Sequence, residues 1–304
     1  MRLFRWIASL FLMLPVLVFS ETPRRFFFDE NRVRYELVQT NGSKPYNWLF
    51  LPGGPGSDSS YLQSLVDLLN LPGNVWFIDL PGSGTNKVED EAQDYNQWLE
   101  IFPQVIDKFS NPILVGHSFG GMFPLLFPQL EQSLKGFIVL HSTPSLWQEA
   151  ALEYAKRFSL PSFDAEIAAF SANPSKETFE AALEACTPYY FPPSGIEAGR
   201  KLFAQTVCQY EPALWWLKKA TEMNFTAKWV PERVPALIIG GKYDCMCPFS
   251  VYQNDSRFDR ENVTLLFIKN GGHCSWLDNP KAIQKAFAKF IRGLDLKRKK
   301  EVGR

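Results

Sequence analysis

The pentapeptide Gly116-His117-Ser118-Phe119-Gly120 constrains the fold of this chain more than any other segment of the sequence. It follows the apolar run 113–115 and precedes a segment with helical spacing, which is the context of a tight strand-to-helix turn. A side chain at either glycine position would clash in such a turn, and the serine hydroxyl is exposed at the carboxyl edge of the sheet. The pattern therefore predicts that Ser118 is a nucleophile.

Short apolar runs alternate with helical patterns on both sides of this turn. The predicted strands are 31–39, 47–51, 75–79, 113–116, 137–141, 235–240 and 263–269, and the predicted helices include 60–70, 92–109 and 280–293. This order is typical of a mostly parallel sheet that is covered by helices on both faces.

The alternation stops between residues 143 and 232, where aromatic residues, prolines and helix-forming residues dominate. We interpret this segment as a helical cap that is inserted into the α/β core, which is then divided into residues 26–142 and 233–296. Residues 297–304 are rich in lysine and arginine, and we expect them to form a solvated basic tail.

A serine hydroxyl becomes a good nucleophile only when a base takes its proton, and histidine is the usual base near neutral pH. The chain has three histidines. His117 precedes the serine on the turn and is predicted to be a packed structural residue, whereas His141 ends a strand and is a weaker candidate for the base. His273 follows the last predicted strand, at the carboxyl edge of the sheet, and is the predicted base.

The base needs a carboxylate that fixes its tautomer and stabilises the imidazolium. Where the nucleophile lies on such a strand-to-helix turn of a mostly parallel sheet, the acid follows the serine and precedes the histidine in the sequence. Asp244, which follows the strand 235–240, meets this condition. The other nearby carboxylates, Asp255, Asp259 and Asp278, are predicted to be surface or helix-capping groups.

The negative charge that develops on the substrate needs backbone N–H donors. One donor is predicted at Phe119, directly after the nucleophile. The other is expected in the glycine-rich loop 53–56, which follows the strand 47–51. Gly54 is favoured there, with Gly53 as the alternative.

The N-terminus carries a candidate export signal. Arg2 and Arg5 precede an apolar run over residues 6–19, which is short for a membrane span, and Ser20 ends a plausible cleavage site. We expect residues 1–20 to be a signal peptide of a periplasmic or secreted protein that has no stable membrane span after cleavage. An uncleaved N-terminal membrane anchor is the alternative.

Composition narrows the class of partner. The 32 basic and 32 acidic residues balance, so the chain lacks the basic excess of a nucleic-acid-binding protein. The five cysteines lie at 186, 208, 245, 247 and 274, and their spacing does not predict a zinc site or fix a disulfide pattern. We expect a small-molecule or short peptide substrate and no metal or organic cofactor, and the oligomeric state stays open.

These motifs, in this order, resemble the α/β-hydrolase superfamily. The resemblance is carried by the loop 53–56, the turn Asp79-Leu80-Pro81-Gly82-Ser83-Gly84, the pentapeptide around Ser118, Asp244 and Gly272-His273. It implies an α/β-hydrolase fold with a mostly parallel sheet of the eight-stranded type and a helical cap. The G-G-P-G loop is similar to that of proline iminopeptidases, whose caps carry glutamates that bind the free amine of the substrate. The pentapeptide is more similar to those of esterases and thioesterases.

Three functions fit these features. The favoured one is a serine hydrolase that cleaves a small ester, amide or short peptide through an acyl-serine intermediate. Because no local motif distinguishes one of the cap glutamates, an esterase or general hydrolase is preferred to an iminopeptidase-like aminopeptidase. The third is a non-catalytic binding protein on the same scaffold, which is disfavoured because the serine, acid and histidine all occur in order.

Overall fold

A central sheet of eight strands organises the protein, as seen in a computed structural model that describes residues 25–42, 44–87 and 93–302. The strands are β1 (Arg25–Phe28), β2 (Arg34–Asn41), β3 (Asn47–Leu51), β4 (Gly73–Asp79), β5 (Pro112–His117), β6 (Gly136–Leu140), β7 (Ala236–Gly241) and β8 (Val263–Ile268).

The order across the sheet is β1-β2-β4-β3-β5-β6-β7-β8. The strands β1 and β2 pair in antiparallel fashion, as do β2 and β4, and every later pair is parallel. The carboxyl ends of β3, β5, β6, β7 and β8 therefore meet at one edge of the sheet. This topology confirms the predicted fold class.

Twelve α-helices and four short 3₁₀-helices connect the strands in the described residues. The α-helices are α1 (Gln63–Leu68), α2 (Gln97–Asp107), α3 (Phe119–Met122), α4 (Leu130–Ser133), α5 (Gln148–Ala155), α6 (Asp164–Ala172), α7 (Lys176–Tyr190), α8 (Ile196–Gln205), α9 (Tyr210–Glu222), α10 (Ser250–Gln253), α11 (Ser275–Asp278) and α12 (Pro280–Val302). Five of them, α5 to α9, lie between β6 and β7.

Alternation along the buried strands builds two cores, one on each face of the sheet. On β5, Leu114 packs into one hydrophobic cluster, whereas Ile113 and Val115 pack into the other. On β7, Ile238 contributes to the first cluster and Ile239 to the second. Because both faces are covered, these strands read as continuous apolar runs in the sequence.

The strand predicted over 31–39 is β2 (Arg34–Asn41), and the other predicted strands differ by at most two residues at either end. Three predicted helices also differ from the structure in their bounds. The helix expected over 60–70 is a 3₁₀ turn (Ser59–Leu62) followed by α1, and α2 is shorter than the helix expected over 92–109. The backbone of α12 stays helical to Val302, well past the expected end at residue 293. Strand β1 was not predicted, because its four residues have no alternating pattern.

The predicted signal peptide at residues 1–20 lies outside the described residues. Within the part of the chain that the structure describes, no helix combines the length and the apolar character needed to cross a bilayer.

Candidate active site

The turn around Ser118 is tight, as its sequence predicts, and its backbone is strained. Ser118 has φ 53° and ψ −119°, a region that a residue with a side chain rarely adopts. Its N–H donates to the carbonyl of Leu140 over 2.9 Å, which ties the turn to the neighbouring strand β6. A Cβ added at Gly116 would collide with the carbonyl oxygen of Gly120, and one added at Gly120 would collide with that of Leu51. Both glycines are therefore required by close backbone packing.

Asp244 and His273 meet at the carboxyl edge of the sheet, after β7 and β8. Nδ1 of His273 lies 2.9 Å from Oδ2 of Asp244, and the side chains are 5% and 0% exposed. The N–H of Cys247 donates to Oδ1 of the same carboxylate over 2.8 Å. Burial opposes ionisation of Asp244, but the charge and hydrogen bond of His273, with help from His141, hold its pKa well below the usual range. The carboxylate is therefore suited to orient an imidazole.

Ser118 lies next to this pair, with its side chain close enough to the Cys247 thiol to influence the pKa of that thiol. Potential ligand atoms of Cys247, Asp244 and His273 all lie within 4.8 Å of one another. Ser118 follows β5, Asp244 follows β7 and His273 follows β8, so the structure places the three predicted residues at the same edge of the sheet. Burial, followed by the charge of Asp244, raises the pKa of the Cys247 thiol well above its ordinary value, so the thiol stays protonated.

The glycine-rich loop lies directly against the nucleophile. A Cβ added at Gly53 would lie 2.8 Å from Cβ of Ser118. The N–H of Gly53 already donates to the hydroxyl of Tyr61 over 2.7 Å, whereas Gly54 adopts a left-handed φ of 108°. Phe119 is buried, and its ring packs 5.1 Å from that of Trp216 in α9.

His141 contacts the same carboxylate as His273, and sequence reasoning gave it no part in orienting the acid. Its Nδ1 lies 3.3 Å from Oδ2 of Asp244, and its Nε2 lies 2.7 Å from Oγ of Ser275. The residue is fully buried and has φ 50°. Burial lowers the pKa of His141 despite the opposing effect of Asp244, which keeps the imidazole neutral. One sequence feature could have indicated this contact: His141 directly follows β6, at the edge of the sheet where Asp244 lies.

His117 is buried next to the site, as expected of a packed residue. Its ring lies 4.7 Å from that of His273 and 5.1 Å from that of Trp276. Burial, followed by the neighbouring His273, lowers the pKa of His117 well below its ordinary value. The imidazole of His117 is therefore neutral. Its ring contacts His273 and Trp276 and not Asp244.

Backbone hydrogen bonds join the segment between β6 and β7 to the loops of the site. The N–H of His273 donates to the carbonyl of Tyr190 over 2.6 Å, and that of Cys245 donates to Tyr189 over 2.8 Å. The N–H of Gln209 donates to the carbonyl of Gly56 over 2.9 Å. The ends of α7 and α9 thus hold the loops that carry His273, Asp244 and the glycine-rich segment.

Asp244, Cys247 and His273 have the side-chain types that can ligate a metal ion. A metal ion bound by all three would have to replace the hydrogen bond between His273 and Asp244. That the site needs no metal or organic cofactor stays a prediction. All five cysteines are free thiols.

A groove of about 910 Å³ lies elsewhere, between β8 and α12, and is lined by residues such as Phe267, Lys285 and Phe290. It contains none of the five site residues predicted from the sequence. The groove and the candidate site are therefore separate features of the fold.

Known proteins resemble this chain at the level of sequence. The model of the Alpha/beta hydrolase family matches residues 48–286. The proline iminopeptidase of Saccharolobus solfataricus is 33% identical over 113 residues, which span 35% of this chain and 36% of that protein. The proline iminopeptidase of Elizabethkingia meningoseptica is 24% identical over 289 residues, which span 82% of this chain and 90% of that protein.

Solved structures share the fold at low identity. A proline iminopeptidase-related protein from Thermus thermophilus superimposes with a TM-score of 0.66 at 20% identity, over 90% of this chain and 99% of that one. The esterase from Exiguobacterium antarcticum gives 0.60 at 16% identity, over 88% of this chain and 98% of that one. The family match covers most of the chain, from β3 into α12. This chain therefore belongs to the alpha/beta hydrolase family, and it is a hydrolase.

Proposed function

We propose that this hydrolase cleaves a small ester, amide or short peptide through an acyl-enzyme intermediate on Ser118. The observation that carries the proposal is the hydrogen bond of 2.9 Å between His273 and Asp244, beside the strained turn of Ser118. A buried carboxylate that holds Nδ1–H leaves Nε2 of the imidazole free to accept a proton. This arrangement supports His273 as the base for Ser118.

In the first half of the reaction, Oγ of Ser118 attacks the substrate carbonyl while His273 takes its proton. The carbonyl oxygen becomes an oxyanion, to which the N–H groups of Gly54 and Phe119 donate. The engagement of the Gly53 N–H with Tyr61 favours Gly54 over Gly53 for this role. The tetrahedral intermediate then collapses, and His273 donates its proton to the leaving alcohol or amine.

In the second half, His273 removes a proton from water, and the resulting hydroxide attacks the acyl-Ser118 carbonyl. Collapse of the second tetrahedral intermediate releases the acid and returns the proton to Ser118. Asp244 stays ionised throughout and stabilises the imidazolium that forms in each half. Its lowered pKa supports this role.

An assay with p-nitrophenyl butyrate tests the proposal. We expect a burst of p-nitrophenol that approaches one equivalent of enzyme, and a butyryl adduct on Ser118 by mass spectrometry of the quenched protein. Ser118→Ala should show neither. Aminoacyl and N-acetylaminoacyl arylamides test the same reaction on an amide bond. Their hydrolysis should also depend on Ser118, His273 and Asp244. Turnover of any of these substrates that survives in Ser118→Ala would refute the proposal.

A second candidate is an aminopeptidase, which the two proline iminopeptidase relatives favour. The candidates for binding a substrate amine are five glutamates between β6 and β7: Glu153, Glu180, Glu184, Glu197 and Glu211. Oε1 of Glu211 accepts from Lys87 over 2.6 Å, and its Oε2 is buried without a hydrogen-bond partner in the described residues. Glu211 lies in the first turn of α9, two residues after Gln209, which bonds the glycine-rich loop. It is therefore the best placed of the five to receive a substrate amine.

Matched substrates separate the two candidates. An aminopeptidase should cleave prolyl arylamide and reject its N-acetylated form, and Glu211→Gln should raise KM for the free-amine substrate alone. Glu153→Gln is the control, because the Glu153 side chain is 72% exposed and pairs with Lys156. Equal turnover of free and acetylated substrates would instead support an esterase or general hydrolase.

A further inference from the structure

Three consecutive hydrogen bonds connect the glycine-rich loop to the loop of the base. The N–H of Gly53 donates to the hydroxyl of Tyr61 over 2.7 Å. The Tyr61 hydroxyl lies 2.6 Å from Nδ1 of His117. Nε2 of His117 lies 2.9 Å from the backbone carbonyl oxygen of His273. Neither Tyr61 nor His117 has a part in the reaction proposed above.

Elementary chemistry fixes the direction of every bond in this series. A carbonyl oxygen can only accept, so Nε2 of His117 carries the hydrogen and donates to His273. His117 is neutral, so its Nδ1 is then an acceptor, and the Tyr61 hydroxyl must donate to it. The same hydroxyl accepts from the Gly53 N–H. Each proton has one position, and the series has no alternative direction.

We propose that Tyr61 and His117 are positioning residues that hold the oxyanion-binding loop and the base loop in one fixed relation across Ser118. The inference rests on the proposed reaction, in which Gly54 is an oxyanion donor and His273 is the base. Gly53 directly precedes Gly54, and the accepting carbonyl belongs to His273 itself. His117 is also joined by the chain to Ser118, so the series contacts all three parts of the reaction centre.

The geometry explains why a histidine stands before the nucleophile. His117 is 4% exposed, and its ring packs against Trp276 on α11. An apolar residue of similar size would fill the space but would leave the Tyr61 hydroxyl and the His273 carbonyl without these partners. Buried polar groups that lose a partner shift or recruit water, and displacement of a preorganised donor lowers the rate of the chemical step.

The first test reads proton positions and needs no substrate. Long-range ¹H–¹⁵N spectra of protein with ¹⁵N-labelled histidine report the tautomer of each imidazole, and with three histidines each is assigned by substitution. At pH 7.5 we expect Nε2–H for His117 and Nδ1–H for His141 and His273. A hydrogen on Nδ1 of neutral His117 would overturn the proposal, because Nε2 could not then donate to the carbonyl.

The second test uses side chains that mimic one nitrogen of histidine at a time. His117→Asn retains an acceptor near the position of Nδ1, and His117→Gln retains a donor near that of Nε2. Each breaks one end of the series, so each should lower kcat by roughly 10- to 100-fold with KM changed less than about threefold. Tyr61→Phe should lower kcat by a similar factor.

Combination of the substitutions gives an asymmetric result that packing alone would not produce. Tyr61→Phe should cause no further loss in His117→Gln, where the contact with Tyr61 is already gone. In His117→Asn the same change should cause a further loss. The control is Tyr35→Phe, which removes a hydroxyl that bonds Asp29 and should leave kcat unchanged.

The outcomes separate the failure of this inference from that of the reaction. If the wild type hydrolyses p-nitrophenyl butyrate and Tyr61→Phe retains its kcat within twofold, the positioning role is wrong and the reaction stands. Equal further losses in both double variants would also overturn it. If the wild type neither reacts nor acylates Ser118, the proposed reaction fails, and with it the positioning role.

Discussion

The carboxylate of Asp244 accepts a hydrogen bond from Nδ1 of His273 over 2.9 Å, in a site where both side chains are almost completely buried. Low exposure strengthens the interaction and fixes one tautomer of the imidazole. Replacement of Asp244 by Asn should therefore leave the fold in place and lower kcat by about 10³- to 10⁴-fold. Asp259→Asn, at an exposed carboxylate considered in the sequence, should retain wild-type kcat. Equal kcat values for the two variants would exclude Asp244 as the orienting acid.

His141 should support the same carboxylate from its other side. His141→Gln keeps a group near Ser275 but loses the 3.3 Å contact of Nδ1 with Asp244, and we expect kcat to fall about tenfold, as for the loss of one polar contact with a buried charge. His141→Asn places an amide near the position of Nδ1 and tolerates the positive φ, so it should recover much of the loss. Steady-state kinetics at a temperature well below both melting midpoints would check this order. The reverse order would show that the Ser275 contact matters more.

The turn around Ser118 should not tolerate a methyl group. Gly116→Ala would force a Cβ onto the carbonyl of Gly120, so we expect a loss of at least about 3 kcal/mol in the free energy of unfolding, or failure to fold. Gly293 on α12 is the matched control, because nothing lies within 4 Å of the added atom. Gly293→Ala should stabilise the protein by about 0.5–1 kcal/mol. Urea unfolding of both variants measures the contrast, and similar stabilities would contradict the close packing at the turn.

Asp278 should make stability depend on pH. It accepts from the N–H of Gly272, next to His273, and burial raises its pKa to about 6. Between about pH 4 and 6 the unfolded chain has released this proton while the folded chain retains it, so the contribution to stability falls as the pH rises through this window. The free energy of unfolding of the wild type, minus that of Asp278→Asn, should decrease from pH 4 to pH 7. An increase over that range would mean that the Gly272 hydrogen bond dominates and lowers the pKa.

Much of this architecture could be predicted from the sequence because its signals are local. Apolar runs predict the buried strands, and the two glycines around Ser118 predict the turn. Asp244 and His273 each follow a strand at the edge where parallel strands end. The chain order of serine, acid and histidine therefore predicts that the two side chains meet. The family match and the sheet topology confirm the fold that these signals predicted.

The missed features depend on contacts between residues that are far apart in the chain. Tyr61 and His117 are 56 residues apart, and His141 and Ser275 are 134 residues apart. No spacing rule relates such pairs, and a buried histidine that accepts from tyrosine has the same local sequence as one that fills a core. No part in the site was predicted for Cys247, although its N–H donates to Asp244 and its thiol lies close to Ser118.

The central claim is that Ser118 is an activated nucleophile. The most direct measurement is labelling of the purified protein with a fluorophosphonate, followed by mass spectrometry of the modified peptide, beside Ser118→Ala and His273→Ala. We expect one phosphonyl group on Ser118 of the wild type and none on either variant. A folded wild-type protein that stays unmodified, or that carries the label on another residue, would contradict the account.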